Sequence, residues 1–95
     1  MRYAAKRDAN EPDIRSAFHA RNARTWPVSD GGRPDLVVLH VGRWYLVEVK
    51  VPGGRLTPAQ ADFIEQVERD GGRVYVVTTE AEVDAIVREW ANGRT

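Results

Sequence analysis

The chain has 95 residues, with 14 Lys and Arg balancing 14 Asp and Glu. This length suits one small domain and excludes two independent hydrophobic cores. The absence of cysteine excludes a disulfide framework and a thiolate metal site. We identify no signal peptide and no apolar run near the ~20 residues of a membrane span. A cytoplasmic domain is therefore expected, and so small a core makes pairing with a second copy a reasonable expectation.

The charges are unevenly distributed along the chain. Residues 1–57 contain ten Lys and Arg against six Asp and Glu, a balance of +4, whereas residues 58–95 contain four against eight, a balance of −4. A net charge of zero argues against a nucleic-acid binder. A cation bound to acids of the first half would nevertheless leave that half basic. The alternative is that the asymmetry reflects only an acidic surface helix.

Periodicity and turn residues predict the elements of the first half. Residues 1–9 are expected to form a flexible basic arm, and Asn10 is expected to cap a helix running to about residue 23. A short strand over 25–29 and a loop over 30–33 follow. Residues 36–41 and 44–51 are strongly β-forming, which predicts an antiparallel hairpin around a Gly42-Arg43 turn.

The second half begins with a helix start signal, Thr57 followed by Pro58. This helix is predicted to run to about residue 70 and to bury Ala61, Phe63, Ile64 and Val67. Residues 73–79 are predicted as a central strand because they are apolar on both faces.

A last helix is predicted from residue 79 or 80 to about 91, with Val83, Ile86, Val87 and Trp90 at helical spacing and a tail over 92–95. The resulting order is αβββαβα, an α/β fold with a mixed four-stranded sheet flanked by helices. Strands three and four are expected to be parallel and joined by a right-handed crossover. Residues 10–91 form the single predicted domain.

Three charged residues interrupt the apolar hairpin. Alternation along its second strand sends Glu48 and Lys50 to the same face. With a two-residue turn at Gly42-Arg43, Asp35 lies opposite Lys50 and diagonal to Glu48 on that face. Two carboxylates and a lysine are therefore expected to converge at one end of the sheet.

Such a cluster has two interpretations. Neighbouring carboxylates raise each other's pKa unless a cation lies between them, and Mg²⁺ takes one or two carboxylates while keeping several waters. A lysine beside the cation stabilises charge on a phosphoryl group or orients the attacking water. The alternative, and the commoner arrangement in an arbitrary sequence, is a surface ion-pair cluster in which Lys50 neutralises Asp35 and Glu48.

A larger set of residues resembles the VRR-NUC domain of the PD-(D/E)xK nuclease superfamily over about residues 10 to 90. The matching segments are Glu11 with Ile14, Gly32-Arg33-Pro34-Asp35-Leu36, Leu46-Val47-Glu48-Val49-Lys50, Gly53-Gly54-Arg55-Leu56-Thr57-Pro58-Ala59-Gln60 and Gly71-Gly72-Arg73-Val74. The bare PD…ExK pattern is weak, whereas the glycine loop and the Pro-Ala-Gln helix start are more specific. Arg33 replaces the family's glycine before Pro-Asp. Small standalone members are familiar from bacteriophages.

The resemblance implies a restriction-endonuclease-like core and a role for each matched residue. Asp35 and Glu48 would bind Mg²⁺ or Mn²⁺ together with the Val49 carbonyl oxygen. Lys50 would act on the attacking water or the transition-state phosphate, and Gln60 matches the family's glutamine near the site. The alternative for Gln60 is a solvated helix residue.

Glu11 matches the acid on the family's first helix, which helps to hold the metal or its waters. The neighbouring acids Asp8 and Asp13 are alternatives for that role, and simple helix capping is the other interpretation of Glu11. His19 and His40 are isolated and are interpreted as ordinary histidines rather than ligands. Trp26 and Trp44 are expected in the core, and Trp90 in the core or a dimer interface.

Several basic side chains are possible contacts for the DNA backbone, although each is also an ordinary surface residue. They are Arg2, Lys6, Arg7, Arg15, Arg21, Arg24, Arg33 and Arg55. The function expected from the resemblance is a metal-dependent endonuclease acting on structured or branched DNA, as a Holliday-junction resolvase or a nickase. The expected assembly is a homodimer. The alternatives are a non-catalytic nucleic-acid-binding protein with this fold, and an interaction protein that uses its acidic half.

Overall fold

The computed structural model describes residues 8–28 and 33–93. Its elements are α1 (Glu11–His19), β1 (Ala23–Pro27), β2 (Leu36–His40), β3 (Arg43–Val49), α2 (Pro58–Arg69), β4 (Val74–Val77) and α3 (Glu80–Asn92). The predicted αβββαβα order is confirmed. Most of the predicted arm and of the loop over 30–33 lies outside the described residues, as does the end of the tail. In the described parts of the chain, no helix is long and apolar enough to cross a membrane.

The four strands form one mixed sheet in the order β1-β2-β3-β4. The pairs β1–β2 and β2–β3 are antiparallel, whereas β3 and β4, which α2 connects, are parallel. The central position predicted for β4 is therefore wrong, because β4 lies at an edge. Its apolar residues do not require a central position, since Val77 is buried on one face while Val76, on the other, is 43% exposed.

The hydrophobic core lies between one face of the sheet and helices α1 and α3. Buried residues of all four strands point into it and meet the apolar faces of both helices. The buried core residues are Ile14, Ala17, Phe18, Ala23, Leu36, Val38, Val47, Val49, Val77, Val83, Val87 and Trp90. The indole of Trp90 stacks on Tyr45 with ring centroids 3.7 Å apart. Trp90 is thus a core residue, and His40, 5% exposed, packs beside it.

Helix α1 ends at His19 and not near residue 23 as predicted. The chain turns through Asn22, which has a positive φ of 65°, a conformation that asparagine tolerates better than most residues. Ala23 therefore begins β1, and this strand covers Ala23–Pro27 instead of 25–29. The prediction failed because Arg21 continues the helical spacing beyond the true end.

Asn10 occupies the position before α1, but its side chain does not cap the helix. Its Nδ2 donates to the carbonyl oxygens of Lys50 at 3.0 Å and Thr78 at 2.9 Å. These two carbonyls lie just beyond the ends of β3 and β4. The predicted capping residue is instead a tether between α1 and two neighbouring strands.

The hairpin turns at Val41-Gly42, one residue earlier than predicted. Both residues have positive φ, 47° and 76°. Leu36 pairs with Val47 and His40 with Arg43, so the register differs by two residues from the predicted one. Continued by one residue, it places Asp35 beside Glu48 instead of Lys50. A shift of two residues leaves every side chain on its predicted face.

The face of the sheet opposite the core is only partly covered, by α2. No residue of α2 is fully buried; Ala61 is exposed, contrary to prediction, whereas Phe63, Ile64 and Val67 are partly buried. On the uncovered part, Trp26 is 45% and Trp44 62% exposed, so their predicted core positions are also wrong. We call this uncovered part the open face.

Candidate active site

Asp35, Glu48 and Lys50 lie together at one end of the β2–β3 hairpin. Asp35 immediately precedes β2, and its Oδ2 accepts a 2.7 Å hydrogen bond from the Val49 N–H. Its own carbonyl oxygen accepts from Val28 N–H at 2.7 Å, which joins it to the end of β1. The Asp35 carboxylate is therefore held by the N–H of Val49, the residue between Glu48 and Lys50 in the sequence.

Glu48 is the most deeply buried charged residue among those described, with 1% of its surface exposed. Gln60 Nε2 donates to Glu48 Oε2 at 2.9 Å. Lys50 Nζ lies 3.8 Å from the same oxygen, with 14% of the lysine side chain exposed. The Gln60 amide and the Lys50 ammonium thus face the same carboxylate oxygen of Glu48.

The surroundings of Glu48 strongly shift the pKa of its carboxyl group. Burial raises the pKa of Glu48 to about 8, helped by a hydrogen bond to Asp35 and by repulsion from Asp35 and Asp8, while Lys50 acts in the opposite direction. Lys50 supplies one positive charge beside the carboxyl groups of Asp35 and Glu48, so this lysine alone balances only one of the two when both are ionised.

The donor set fits a hard divalent cation. Two carboxyl groups in hydrogen-bond contact hold a proton where a cation would otherwise balance their charge. Within the described ranges, no three His, Asp or Glu side chains form a metal-binding group. Mg²⁺ needs only one or two protein carboxylates because it keeps several waters. Asp35 and Glu48 are therefore sufficient in chemistry and number.

Three acids near the start of α1 differ in their surroundings. Glu11 is the first residue of the helix and is 4% exposed, and its N–H donates to the Asp8 carbonyl oxygen at 3.0 Å. Asp13 is exposed. Asp8 raises the pKa of Glu48, so its charge acts on the site. Sequence reasoning named Asp8 only as one alternative to Glu11, since an acid in the turn before a helix carries no distinguishing pattern.

Gln60 reaches the site from the first turn of α2. Thr57 Oγ1 accepts from Gln60 N–H at 3.1 Å, and Gln60 Oε1 accepts from Thr57 N–H at 2.8 Å, which completes a capping box. The remaining amide nitrogen donates to Glu48. The structure therefore brings the predicted glutamine into contact with the predicted metal ligand.

The basic residues proposed for DNA binding occupy different environments. Arg15 donates from Nε to Thr25 Oγ1 at 2.9 Å and is tied to β1. The Arg33 guanidinium lies 5.7 Å from the ring centroid of Phe63, and Arg55 is exposed. Arg24 is also exposed, on the open face. Arg2, Lys6 and Arg7 lie outside the described residues.

Arg21 is engaged within the fold. Its Nε donates to Asp84 Oδ1 at 3.1 Å, which joins the end of α1 to α3. Hydrogen bonds from Arg21 and Arg88 hold the pKa of Asp84 below its ordinary value. An arginine held in this way is a poor candidate for a phosphate contact.

Comparisons with known proteins agree with the fold. The model of the VRR-NUC domain family matches residues 5–81. A solved structure described as a VRR_NUC domain superposes with a TM-score of 0.71 at 26% sequence identity, covering 87% of this chain and 99% of that chain. No curated protein matches. Since the family model spans most of the chain, including the hairpin, Gln60 and β4, the protein belongs to the VRR-NUC domain family and has its nuclease-like fold.

Proposed function

We propose that the protein is an endonuclease that hydrolyses phosphodiester bonds in DNA with the help of Mg²⁺ or Mn²⁺. The observation that carries this proposal is the buried Glu48 carboxyl group in contact with Asp35, Gln60 and Lys50. A purely structural cluster would gain from replacing buried acids by apolar residues, because desolvating carboxylates is costly. A site that binds a cation and a phosphate requires these groups.

Each residue has a defined part in this proposal. Asp35 and Glu48 would hold the cation, together with the Val49 carbonyl oxygen, and a bound cation would supply Lewis-acid activation of water and of the phosphate. Gln60 holds the Glu48 carboxylate in position. Lys50 provides an ammonium next to this carboxylate, where it stabilises charge that develops on the phosphate oxygens.

The reaction is hydrolysis, in which water oxygen bonds to phosphorus and one ester P–O bond breaks. One proton of the water passes to solvent, and the departing deoxyribose oxygen takes up a proton. Glu11 and Asp8 are both proposed as further acids of the site, Glu11 by its place in the family pattern and Asp8 by its effect on Glu48. Arg15, Arg33 and Arg55, with Arg7 beyond the described residues, are proposed contacts for the DNA backbone.

Structured or branched DNA is the proposed substrate, and a homodimer is the proposed assembly, since two copies would present two sites to a junction. The test is a panel of labelled duplex, nicked, flapped and four-way DNAs, incubated with Mg²⁺, Mn²⁺ or EDTA. We expect cleavage only with divalent metal. The mass of the protein, measured by sedimentation, tests the dimer separately.

The variants Asp35→Ala, Glu48→Ala and Lys50→Ala are expected to lose cleavage by at least about a hundredfold, the usual effect of removing one such group. Asp13→Asn is a matched control, since Asp13 is an exposed acid two residues from Glu11. Comparison of Asp8→Asn and Glu11→Gln with this control identifies the third acid. Full cleavage by Asp35→Ala or Glu48→Ala would refute the proposal, and DNA binding without cleavage would favour the non-catalytic alternative.

A further inference from the structure

We propose that Trp26 and Trp44 form a stacking platform for an unpaired nucleobase beside the proposed cleavage site. The two indoles contact each other on the open face, with ring centroids 5.5 Å apart and planes inclined at 47°. They are 45% and 62% exposed. Aromatic side chains in this position are costly to leave in water, which indicates that a ligand covers them.

The platform lies on the same face as the proposed metal ligands. Trp26 pairs with Val37, and Val37 pairs with Leu46. Two residues farther along their strands lie Asp35 and Glu48, on the same side by alternation. Two residues of a strand span about 7 Å. A nucleotide stacked on Trp26 is therefore a close neighbour of a phosphate at the carboxylates.

The surroundings of the platform suit a nucleic acid. Arg24 lies two residues from Trp26 on the same face of β1 and is exposed. Arg24 pairs with Leu39, which in turn pairs with Trp44, so the guanidinium belongs to the same cross-strand row as the second indole. A cation beside two aromatic rings is the combination with which proteins bind single-stranded nucleic acid, because the cation attracts the phosphates and the rings stack on the bases.

A second copy of the chain is a weaker candidate for this face. The exposed fractions of the two indoles sum to about one whole side chain, on the order of 250 Å². A stable interface needs about 800 Å² from each partner. Most of the additional area would have to come from polar surface next to the negatively charged cluster. A base and its phosphates match this small aromatic patch and its arginine better.

This inference rests on the proposed endonuclease function. It predicts that the preferred substrates are DNAs with unpaired nucleotides next to the scissile bond. Its test is separable from cleavage. Binding of a labelled oligothymidylate is compared with binding of an abasic oligomer of the same length and charge, with Ca²⁺ replacing Mg²⁺ and intact oligomer verified on a gel. We expect wild type to prefer the thymidylate by about tenfold or more, the effect of one stacked base.

The variants separate stacking from charge. In Trp26→Ala/Trp44→Ala, thymidylate binding should fall to the level of the abasic oligomer. Trp26→Phe/Trp44→Phe keeps an aromatic ring at both positions and should retain most of the preference. Retention there would show that the loss in the alanine variant comes from removing the rings. Arg24→Ala should weaken binding of both oligomers equally. Val76→Ala, an exposed apolar residue of β4 on the same side of the sheet, is the matched control and should change neither.

Equal binding of the two oligomers by wild type, or a preference that survives in the double alanine variant, would overturn the inference. So would a halving of the sedimenting mass in that variant, because a second copy would then cover the platform. If wild type cleaves none of the DNA panel but shows the Trp-dependent preference, the platform stands and the endonuclease proposal fails. If wild type cleaves DNA but shows no preference for the thymidylate, the endonuclease proposal stands and the platform proposal fails.

Discussion

The Gln60 side chain has two tasks, since it completes the capping box of α2 through Oε1 and holds Glu48 through Nε2. Gln60→Glu separates them. A glutamate retains the acceptor for Thr57 N–H, so the helix start and the thermal midpoint should be preserved. It replaces the donor facing Glu48 by a second carboxylate, so cleavage should fall by at least about tenfold. Paired measurements of thermal midpoint and initial rate check this.

The control is Glu82→Gln in α3. Glu82 holds the same third position of a capping box, with Thr79 as the capping residue. The reciprocal exchange there should change neither stability nor rate substantially. A Gln60→Glu variant with a wild-type rate would show that the hydrogen bond to Glu48 is dispensable.

Glu48 makes the stability of the metal-free protein depend on pH. Burial, the hydrogen bond to Asp35 and repulsion by acids raise its pKa from 4.5 to about 8. Between these values the folded state binds a proton that the unfolded state has lost, so the free energy of unfolding decreases as pH rises. We expect a decrease of a few kcal/mol at most, measured by urea unfolding in EDTA between pH 5 and pH 8.

The variant Glu48→Gln cannot ionise at this position, so its stability should depend much less on pH over the same interval. The variant Asp84→Asn supplies a contrast, because salt-bridging arginines lower the pKa of that acid. Removal of the Asp84 carboxylate should leave the decline between pH 5 and pH 8 in place. A flat wild-type profile would contradict the assignment to Glu48.

At the scale of single residues, the sequence predicted which charged residues lie together better than it predicted which aromatic residues are exposed. Alternation was enough to place Glu48 and Lys50 on one face, and the family pattern selected Gln60. Trp26 and Trp44 were assigned to the core because aromatic content alone does not reveal which part of a sheet α2 covers. Asp8 was not singled out because its relation to Glu48 depends on the packing of α1 against the sheet.

The β2–β3 turn places valine in a backbone conformation that is unfavourable for this residue type. Val41 has φ 47°, and a β-branched side chain in the left-handed region is strained. Its side chain is 64% exposed, so little packing depends on it. Val41→Asn creates the Asn-Gly pair preferred in such turns and should stabilise the protein by about 1 kcal/mol. Thermal unfolding should show a midpoint higher by about 4–8 °C.

Gly42→Ala is the opposite change at the next residue. A Cβ there meets no atom within 4 Å, yet φ is 76°. Any loss of stability is therefore due to backbone strain and not to a clash. A lower midpoint for Val41→Asn together with an unchanged midpoint for Gly42→Ala would contradict a left-handed conformation at both residues.

Asn10 joins α1 to the ends of β3 and β4 through hydrogen bonds to Lys50 and Thr78. Asn10→Ala removes both donors and should cost about 1–3 kcal/mol in the free energy of unfolding. Because one acceptor is the Lys50 carbonyl, the cleavage rate should also fall in conditions where the variant is fully folded. Ala9→Ser, at an exposed neighbouring position, serves as control. A purely structural role for Asn10 predicts reduced stability with an unchanged rate.

The order of elements was predictable because each boundary has a local signal, such as the Thr57-Pro58 helix start. The hairpin register was not, since the actual turn places valine where turn rules favour asparagine or glycine. The predicted convergence of Asp35, Glu48 and Lys50 survived this error because the two registers differ by two residues and preserve side-chain parity. β4 was misplaced because apolar residues on both faces occur wherever helices flank a strand, at an edge or at the centre.

The whole molecule has no net charge, yet its proposed substrate is a polyanion. The acids responsible are concentrated in two places: the second half of the chain and the cluster of Asp8, Asp35 and Glu48. The cluster is adjacent to the open face, so its charge opposes a phosphate there more strongly than the exposed acids of α2 do. The charge of the site, and not the net charge, is therefore expected to control DNA binding.

This expectation is tested by removing the site's charge without metal. At about pH 9, above the pKa of Glu48, Asp35→Asn/Glu48→Gln should bind duplex DNA in EDTA about tenfold more tightly than wild type does. Adding Ca²⁺ should strengthen binding of wild type only. Glu65→Gln/Glu68→Gln removes the same number of charges from the exposed surface of α2 and should leave the Ca²⁺ dependence intact. Equal gains in both double variants would mean that net charge governs binding. The absence of a gain in the site variant would mean that these carboxylates do not face the DNA.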